Sequence, residues 1–128
     1  MTSYEAEASV KEMNSIAIDE RLKETLLRAM DETVSAQFGL HMRDVLHLSM
    51  LNGSSVRNDG VNESVETLLP VLEENFGSHA GSVSQAIGKR MFLHLQLDFP
   101  DSSQFSLRNC VNDARAALME KQNGKGVP

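Results

Sequence analysis

Segment 75–81, with the sequence NFGSHAG, constrains the fold more than any other part of the chain. Apolar residues at helical spacing precede and follow it, so one helix has to end and another begin within about four residues. Gly77 suits the positive φ of the position after a helix, and Ser78 is a residue type that accepts the first backbone N–H groups of the next helix. The segment therefore predicts a tight corner between two helices.

The spacing of the apolar residues predicts a chain that is helical almost throughout. No stretch alternates apolar and polar residues in the manner of a strand. In the first helix, apolar residues recur every four positions, which is the spacing of one helix face: Leu22, Leu26, Met30, Val34 and Phe38. The predicted helices span residues 17–38, 40–51, 62–76, 80–97 and 105–121. The predicted fold class is therefore all-α, a single compact bundle of about five helices with a helix-turn-helix-like corner near residues 72–91.

Single positions predict further details of the bundle. Gly39 is a suitable end for the first helix. Helix 40–51 carries apolar residues in nearly every direction around its axis, which is typical of a helix at the centre of a bundle. Asn62 is predicted to cap the third helix and Pro70 to break it, because an interior proline costs roughly 3 kcal/mol. Small residues in the first half of the fourth helix, Gly88 among them, predict close approach of another helix.

At 128 residues the chain is long enough for one domain with its own core. Residues 17–121 are predicted to form that domain, with a poorly ordered segment 1–16 before it and a disordered tail 122–128 after it. Cys110 is the only cysteine, so no disulfide can form within the chain, which is typical of a reducing compartment. The polar N-terminus lacks the pattern of a signal peptide, and no apolar run is long enough to cross a membrane. We therefore expect a cytoplasmic protein without membrane contact.

The net charge of −6 is unevenly distributed along the chain. Residues 1–78 hold 14 acidic and 6 basic residues, whereas residues 79–128 hold 4 acidic and 6 basic residues. An acidic half repels phosphate, so nucleic acid could approach only the C-terminal half. The charge therefore disfavours nucleic acid as a partner without excluding it.

No residue pattern typical of catalysis, metal binding or cofactor binding occurs in the sequence. The histidines, at positions 41, 47, 79 and 94, have neither the spacing of a metal-binding pair nor the local pattern of a phosphotransfer histidine. Cys110 lies on the predicted apolar face of the fifth helix without a basic cluster that would lower its pKa, so we expect a packed, unreactive thiol. We therefore predict no catalytic, metal or cofactor site, and we expect that the protein is not an enzyme.

The corner also permits a reading as a DNA-binding helix-turn-helix motif. In that reading, Val83 and Ile87 anchor the recognition helix at the spacing of the motif, and four polar residues are the candidate DNA contacts. The sequence departs from the motif at Glu73, where a small buried residue is usual. The candidate contacts are Ser84, Gln85, Lys89 and Arg90.

Three segments together resemble a known family: residues 39–51, residues 73–80 (EENFGSHA) and residues 105–115 (FSLRNCVNDAR). They resemble the small helical output domains of archaeal, particularly thaumarchaeal, signal-transduction proteins. The similarity covers residues 20–118 and consists of short apolar patterns and the Phe-Gly corner. It implies a helical domain that stands alone or is fused to sensory or receiver modules, and it assigns no functional residues. Since these 128 residues contain no recognisable receiver domain, a phosphorylation signal would arrive through a partner.

Together these observations predict a non-enzymatic regulatory or signalling output module that acts through protein–protein contact. The partner is either another protein or a second copy in a homodimer. Leu and Met are plentiful for such short helices, and exposed apolar edges favour pairing of two copies. The alternative is a helix-turn-helix transcriptional regulator that binds DNA through residues 78–91.

Overall fold

The computed structural model describes residues 3–53, 60–100 and 105–125. These residues form five α-helices and no strand, which confirms the predicted all-α bundle. The helices are α1 (Ser3–Phe38), α2 (Leu40–Gly53), α3 (Val61–Phe76), α4 (Ala80–His94) and α5 (Leu107–Lys125), with a 3₁₀ turn (Gly77–His79) between α3 and α4. The last residues of the predicted tail, 126–128, lie outside the described residues. The predicted domain boundaries stay predictions.

The helix ends differ from those that periodicity predicts. α1 begins at Ser3 instead of residue 17. Residues 3–16 contain neither Gly nor Pro and are rich in Glu and Ala, which have high helix propensity. Periodicity reports only the packed part of a helix, and the first buried side chain described in α1 is that of Ile18. α4 ends at His94 instead of residue 97, and shortly after it Gln96 adopts a positive φ of 57°.

α1 is the central helix of the bundle. It packs against each of the other four helices. Leu22, Leu26 and Val34 on its inner face are completely buried, as predicted, whereas Phe38 is 44% exposed. Thr33 is also buried, and its hydroxyl has no hydrogen-bond partner among the described residues.

α2 is not the central helix, so this prediction was wrong. Among the α2 side chains that the structure describes, only Leu46 is fully buried, while Leu40, Leu48 and Leu51 lie at the surface. Among the helices of residues 3–53, 60–100 and 105–125, α2 packs on α1 and α3 alone. Two neighbours cannot cover a helix on all sides, and the apolar residues on its outer side therefore remain exposed.

Two glycines end helices, as predicted, and both have a positive φ. Gly39 has a φ of 95°, and its N–H donates to the carbonyl of Ser35 at 3.1 Å. Gly77 has a φ of 56° and its N–H donates to the carbonyl of Glu73. The predicted cap at Ser78 was wrong, because residues 77–79 continue as a 3₁₀ turn that leads into α4 without a side-chain cap. The backbone turn itself takes the place of the cap.

α3 is a continuous helix that contains Pro70, so the predicted break was wrong. Pro70 lies on the exposed side of α3, where water can reach the backbone carbonyl that its missing N–H leaves without a helical donor. The opposite face of α3 is buried, and this packing holds the helix together across the proline. The predicted cap at Asn62 was also wrong, since the N-cap is Gly60 and no side chain of its own caps the helix.

Candidate functional site

The four candidate DNA contacts do not share one exposed surface. Ser84 is buried at 7% exposure, and Gln85 is half-buried. Lys89 is exposed, and its Nζ lies 5.9 Å from the ring centroid of Phe99, at the outer limit of a cation–π interaction. Arg90 Nη1 lies 3.7 Å from a carboxylate oxygen of α1. The DNA-binding alternative stays a prediction, and this geometry leaves only part of the residue set available to a duplex.

Two histidines link α1 to its neighbours. Nε2 of His47, on α2, contacts Oδ1 of Asp31. Nε2 of His94, on α4, lies 2.5 Å from Oε1 of Glu32. Within the described part of the chain, no group of three or more His, Cys, Asp or Glu side chains is arranged to hold a metal ion. These two histidines therefore act as bridges between helices.

Glu32 has basic residues on several sides. Besides His94, Arg28 Nε donates to Oε2 of Glu32 at 3.3 Å, and Arg90 lies nearby on α4. The hydrogen bond from His94 is the main cause that lowers the pKa of Glu32, and the bond from Arg28 acts in the same direction. The carboxylate is thus held ionised by structural partners, which is the opposite of what a general acid requires.

Glu32→Gln is expected to reduce the acid sensitivity of the fold. Since the pKa of Glu32 is lowered from its ordinary value of 4.5, the contacts of its ionised carboxylate stabilise the fold above that pH, and this stabilisation is lost as the pH falls through the lowered pKa. The wild type should therefore lose more stability than the variant between about pH 5 and about pH 3, by less than about 1 kcal/mol, as for surface ion pairs. Urea unfolding at both pH values measures this difference.

Glu24→Gln, a substitution at an exposed position of the same helix, is the matched control and should retain the acid sensitivity of the wild type. If Glu32→Gln and Glu24→Gln show the same pH dependence, the ion pairs of Glu32 do not contribute to acid sensitivity.

Asp19 joins three helices at one end of the bundle. Its Oδ2 accepts a hydrogen bond from the backbone N–H of Val61, at the start of α3, at 3.3 Å. Its Oδ1 accepts a bond of 2.9 Å from Nη2 of Arg115 on α5, and Arg115 also donates to the Asn62 amide oxygen at 3.1 Å. A carboxylate from α1 therefore caps α3, and this role was not visible in the sequence because 42 residues separate Asp19 from Val61.

Cys110 lies in the core, with 4% of its surface exposed. Burial raises the pKa of its thiol to about 12, and the nearby Asp113 adds to the increase. Because the thiolate is the nucleophilic form, a thiol with this pKa is unreactive near neutral pH. The prediction of a packed cysteine is confirmed.

A groove of about 590 Å³ runs between α3, α4 and the start of α5. Leu69, Pro70 and Phe105 are among the apolar residues that line it. At its edge, Arg108 donates through both Nε and Nη2 to the carboxylate of Glu66, the second bond being 2.8 Å. This bidentate bond lowers the pKa of Glu66. Arg108 and Glu66 thus neutralise each other's charge. The described residues that line this groove include no histidine and no cysteine.

Three exposed leucines on α2 form the candidate functional site. Leu40, Leu48 and Leu51 are 61%, 63% and 71% exposed. With 3.6 residues per turn, they fall within a sector of about 80° of the helix circumference. Asp44 lies inside this sector, and His47 lies at its edge. We call these five residues the α2 leucine face. Sequence periodicity had indicated the surplus of apolar residues on this helix but not the side on which they are exposed.

Leu93, on α4, is also exposed, at 73%, but among the described residues α4 does not pack against α2. Isolated apolar residues of this kind are common on protein surfaces, whereas several on one helix face mark interaction sites. Leu93 therefore provides a matched control for the α2 leucine face.

Comparisons with known proteins give no match: no protein-family model, curated protein or solved structure matches the chain. The resemblance to archaeal output domains therefore stays a prediction. Among the helices described here, none has both the length and the apolar composition needed to cross a membrane.

Proposed function

We propose that the chain is a non-enzymatic regulatory module that acts through protein–protein contact, with the α2 leucine face as its contact surface. The observation that carries this proposal is the exposure of Leu40, Leu48 and Leu51 on one side of a helix whose other side is packed into the bundle. Covering these leucines removes apolar surface from water, at about 25 cal/mol per Å². A partner with an apolar helix face or groove would provide that cover.

The other features of the molecule support this proposal over a catalytic role. The carboxylates of Glu32 and Glu66 have pKa values lowered by basic partners, and the thiol of Cys110 has a raised pKa. These shifts keep the carboxylates ionised and the thiol protonated at neutral pH, so they do not activate any of the three groups. A signalling output role agrees with the resemblance to archaeal output domains, and a cytoplasmic location is part of the same proposal.

Site-specific crosslinking in cells of the source organism tests the proposal. Leu51 and Leu93 are replaced one at a time by a photoreactive phenylalanine analogue, since the two positions are almost equally exposed, at 71% and 73%. We expect position 51 to give an adduct of one defined mass, identified by mass spectrometry, and position 93 to give none. The adduct should disappear when Leu48→Glu is added.

The proposal fails if position 51 gives no adduct, or if positions 51 and 93 label the same proteins to the same extent. An adduct with twice the mass of the chain and an adduct with a different protein both support the function, and they distinguish the two kinds of partner.

A further inference from the structure

The two polar residues of the α2 leucine face are an acid, Asp44, and a base, His47. They are placed symmetrically along the helix. Asp44 and His47 lie on either side of the midpoint of the helix segment that runs from Leu40 to Leu51. The side chain of Asp44 is 65% exposed and that of His47 is 48% exposed. Leu40 and Leu51 are equidistant from the same midpoint, whereas Leu48, the third leucine of the face, has Arg43 as its counterpart.

The α2 leucine face is complementary to the same face of a second copy when the two α2 helices are antiparallel. With the two-fold axis between Val45 and Leu46, Leu40 of one copy lies opposite Leu51 of the other. The same axis places Asp44 opposite His47, and each contact occurs twice, as in every isologous interface. We propose that a second copy of this chain covers the α2 leucine face, with the two α2 helices antiparallel. This inference rests on the proposed function and names its partner.

His47 has two ring nitrogens and can therefore contact a second carboxylate besides Asp31. Its Nε2 contacts Asp31 of the same chain. The other ring nitrogen, Nδ1, is the atom that can donate to Asp44 of the second copy, because a protonated imidazole has two N–H donors. Nη2 of Arg43 lies 3.2 Å from Oδ1 of Asp44, and the Asp44 side chain nevertheless remains 65% exposed.

Charge selects the direction of the pairing. In a parallel arrangement in register, Asp44 would lie opposite Asp44 of the second copy, and like charges at an interface are unfavourable. The antiparallel arrangement replaces this repulsion with two contacts between Asp44 and His47. The leucines provide apolar contact, and the polar pair sets the register.

The size of the α2 leucine face determines the affinity that we expect for the dimer. α2 has 14 residues and is therefore about 21 Å long. One helix face of this length is at the lower end of the areas that specific interfaces bury. We therefore expect a monomer–dimer equilibrium with a dissociation constant on the order of 10 μM.

Sedimentation velocity from about 1 μM to about 1 mM tests the pairing. The wild type should change from monomer to dimer across this range. Leu51→Glu should raise the dissociation constant at least about tenfold, whereas Leu93→Glu, at an equally exposed position on α4, should leave it unchanged. A wild type that is monomeric at all concentrations would overturn the inference, and so would an equal effect of the two substitutions.

Two charge variants test the register. Asp44→Arg places a positive charge opposite His47 of the second copy, and His47→Glu places a carboxylate opposite Asp44 of the second copy. Each variant alone should dimerise more weakly than the wild type, and an equimolar mixture should recover dimer, because both contacts are attractive in the mixed pair. If the mixture forms no more dimer than either variant alone, the antiparallel register is wrong.

Circular dichroism establishes that each variant is folded. Since His47 contacts Asp31, His47→Gln replaces His47→Glu if the latter does not fold, and its mixture with Asp44→Arg should still dimerise more strongly than Asp44→Arg alone. Crosslinking of position 51 to a different protein, with a strictly monomeric chain, would overturn this inference and leave the proposed function intact.

Discussion

Leu26→Ala is expected to lower the free energy of unfolding by about 2–5 kcal/mol, the range for large-to-small substitutions in a core. Leu26 is completely buried in α1, and α1 contacts all four other helices. A cavity at this position removes contacts that hold the whole bundle together. The loss should appear in urea unfolding at pH 7 as a lower midpoint with little change in the slope.

The control for this prediction is Leu48→Ala on α2. Leu48 is 63% exposed, so its substitution should change the free energy of unfolding by about 0.5 kcal/mol or less. The measurement is made at low protein concentration, where the proposed dimer does not contribute. A loss at Leu48 as large as that at Leu26 would mean that α2 lies in the interior, as its sequence alone suggests.

The contrast between α1 and α2 shows what periodicity can predict. In α1 the apolar residues occur on one face, so the pattern identifies the buried side, and Leu22, Leu26 and Val34 are buried as expected. In α5 the same reasoning correctly placed Cys110 in the core. When apolar residues occur on one side of a helix, the pattern predicts which side is buried, and the packing of α1 and α5 confirms this prediction.

In α2, apolar residues occur on all sides of the helix, and such a pattern does not predict which side is buried. Which side becomes buried depends on α1 and α3, which pack against it. The prediction of a central helix assumed that every apolar residue is buried, although a surface helix can keep part of its apolar residues for a partner. The candidate site therefore became identifiable only from the exposure of Leu40, Leu48 and Leu51.

Contacts between residues that are far apart in the chain could not be predicted from the sequence either. His94 and Glu32 are 62 positions apart, and Arg115 and Asp19 are 96 positions apart. No local pattern relates the members of such pairs, because their distance is set by how the helices pack. Pro70 is a similar case, since its cost depends on whether it faces solvent or a neighbouring helix.

Gly88→Ala is expected to destabilise the protein although alanine is the better helix former. A Cβ at this position would lie 3.0 Å from Sγ of Cys110 and 3.0 Å from Cζ of Phe105. Overpacking of this kind costs typically about 1–3 kcal/mol, and the higher helix propensity of alanine returns at most about 1 kcal/mol. Urea unfolding should therefore show a net loss of up to about 2 kcal/mol.

Gly81→Ala is the matched control, because Gly81 lies on the same helix and a Cβ there would meet no atom within 4 Å. This variant should be as stable as the wild type or slightly more stable, with a gain of up to about 1 kcal/mol. The two glycine variants are thus expected to shift stability in opposite directions. Equal effects would mean that helix propensity, and not the approach of α5, determines the outcome at Gly88.

A second substitution identifies the atoms that cause the loss at Gly88. Cys110→Ala removes the Sγ that the new Cβ would meet, so Gly88→Ala should cost less in this background than in the wild type. The double-mutant cycle should give a favourable coupling energy of about 0.5–3 kcal/mol, the range for residues in contact. Because Phe105 lies equally close, the rescue should be partial. Additive effects of the two substitutions would show that α4 and α5 do not meet at this point, and the packing of the C-terminal helix would then need to be revised.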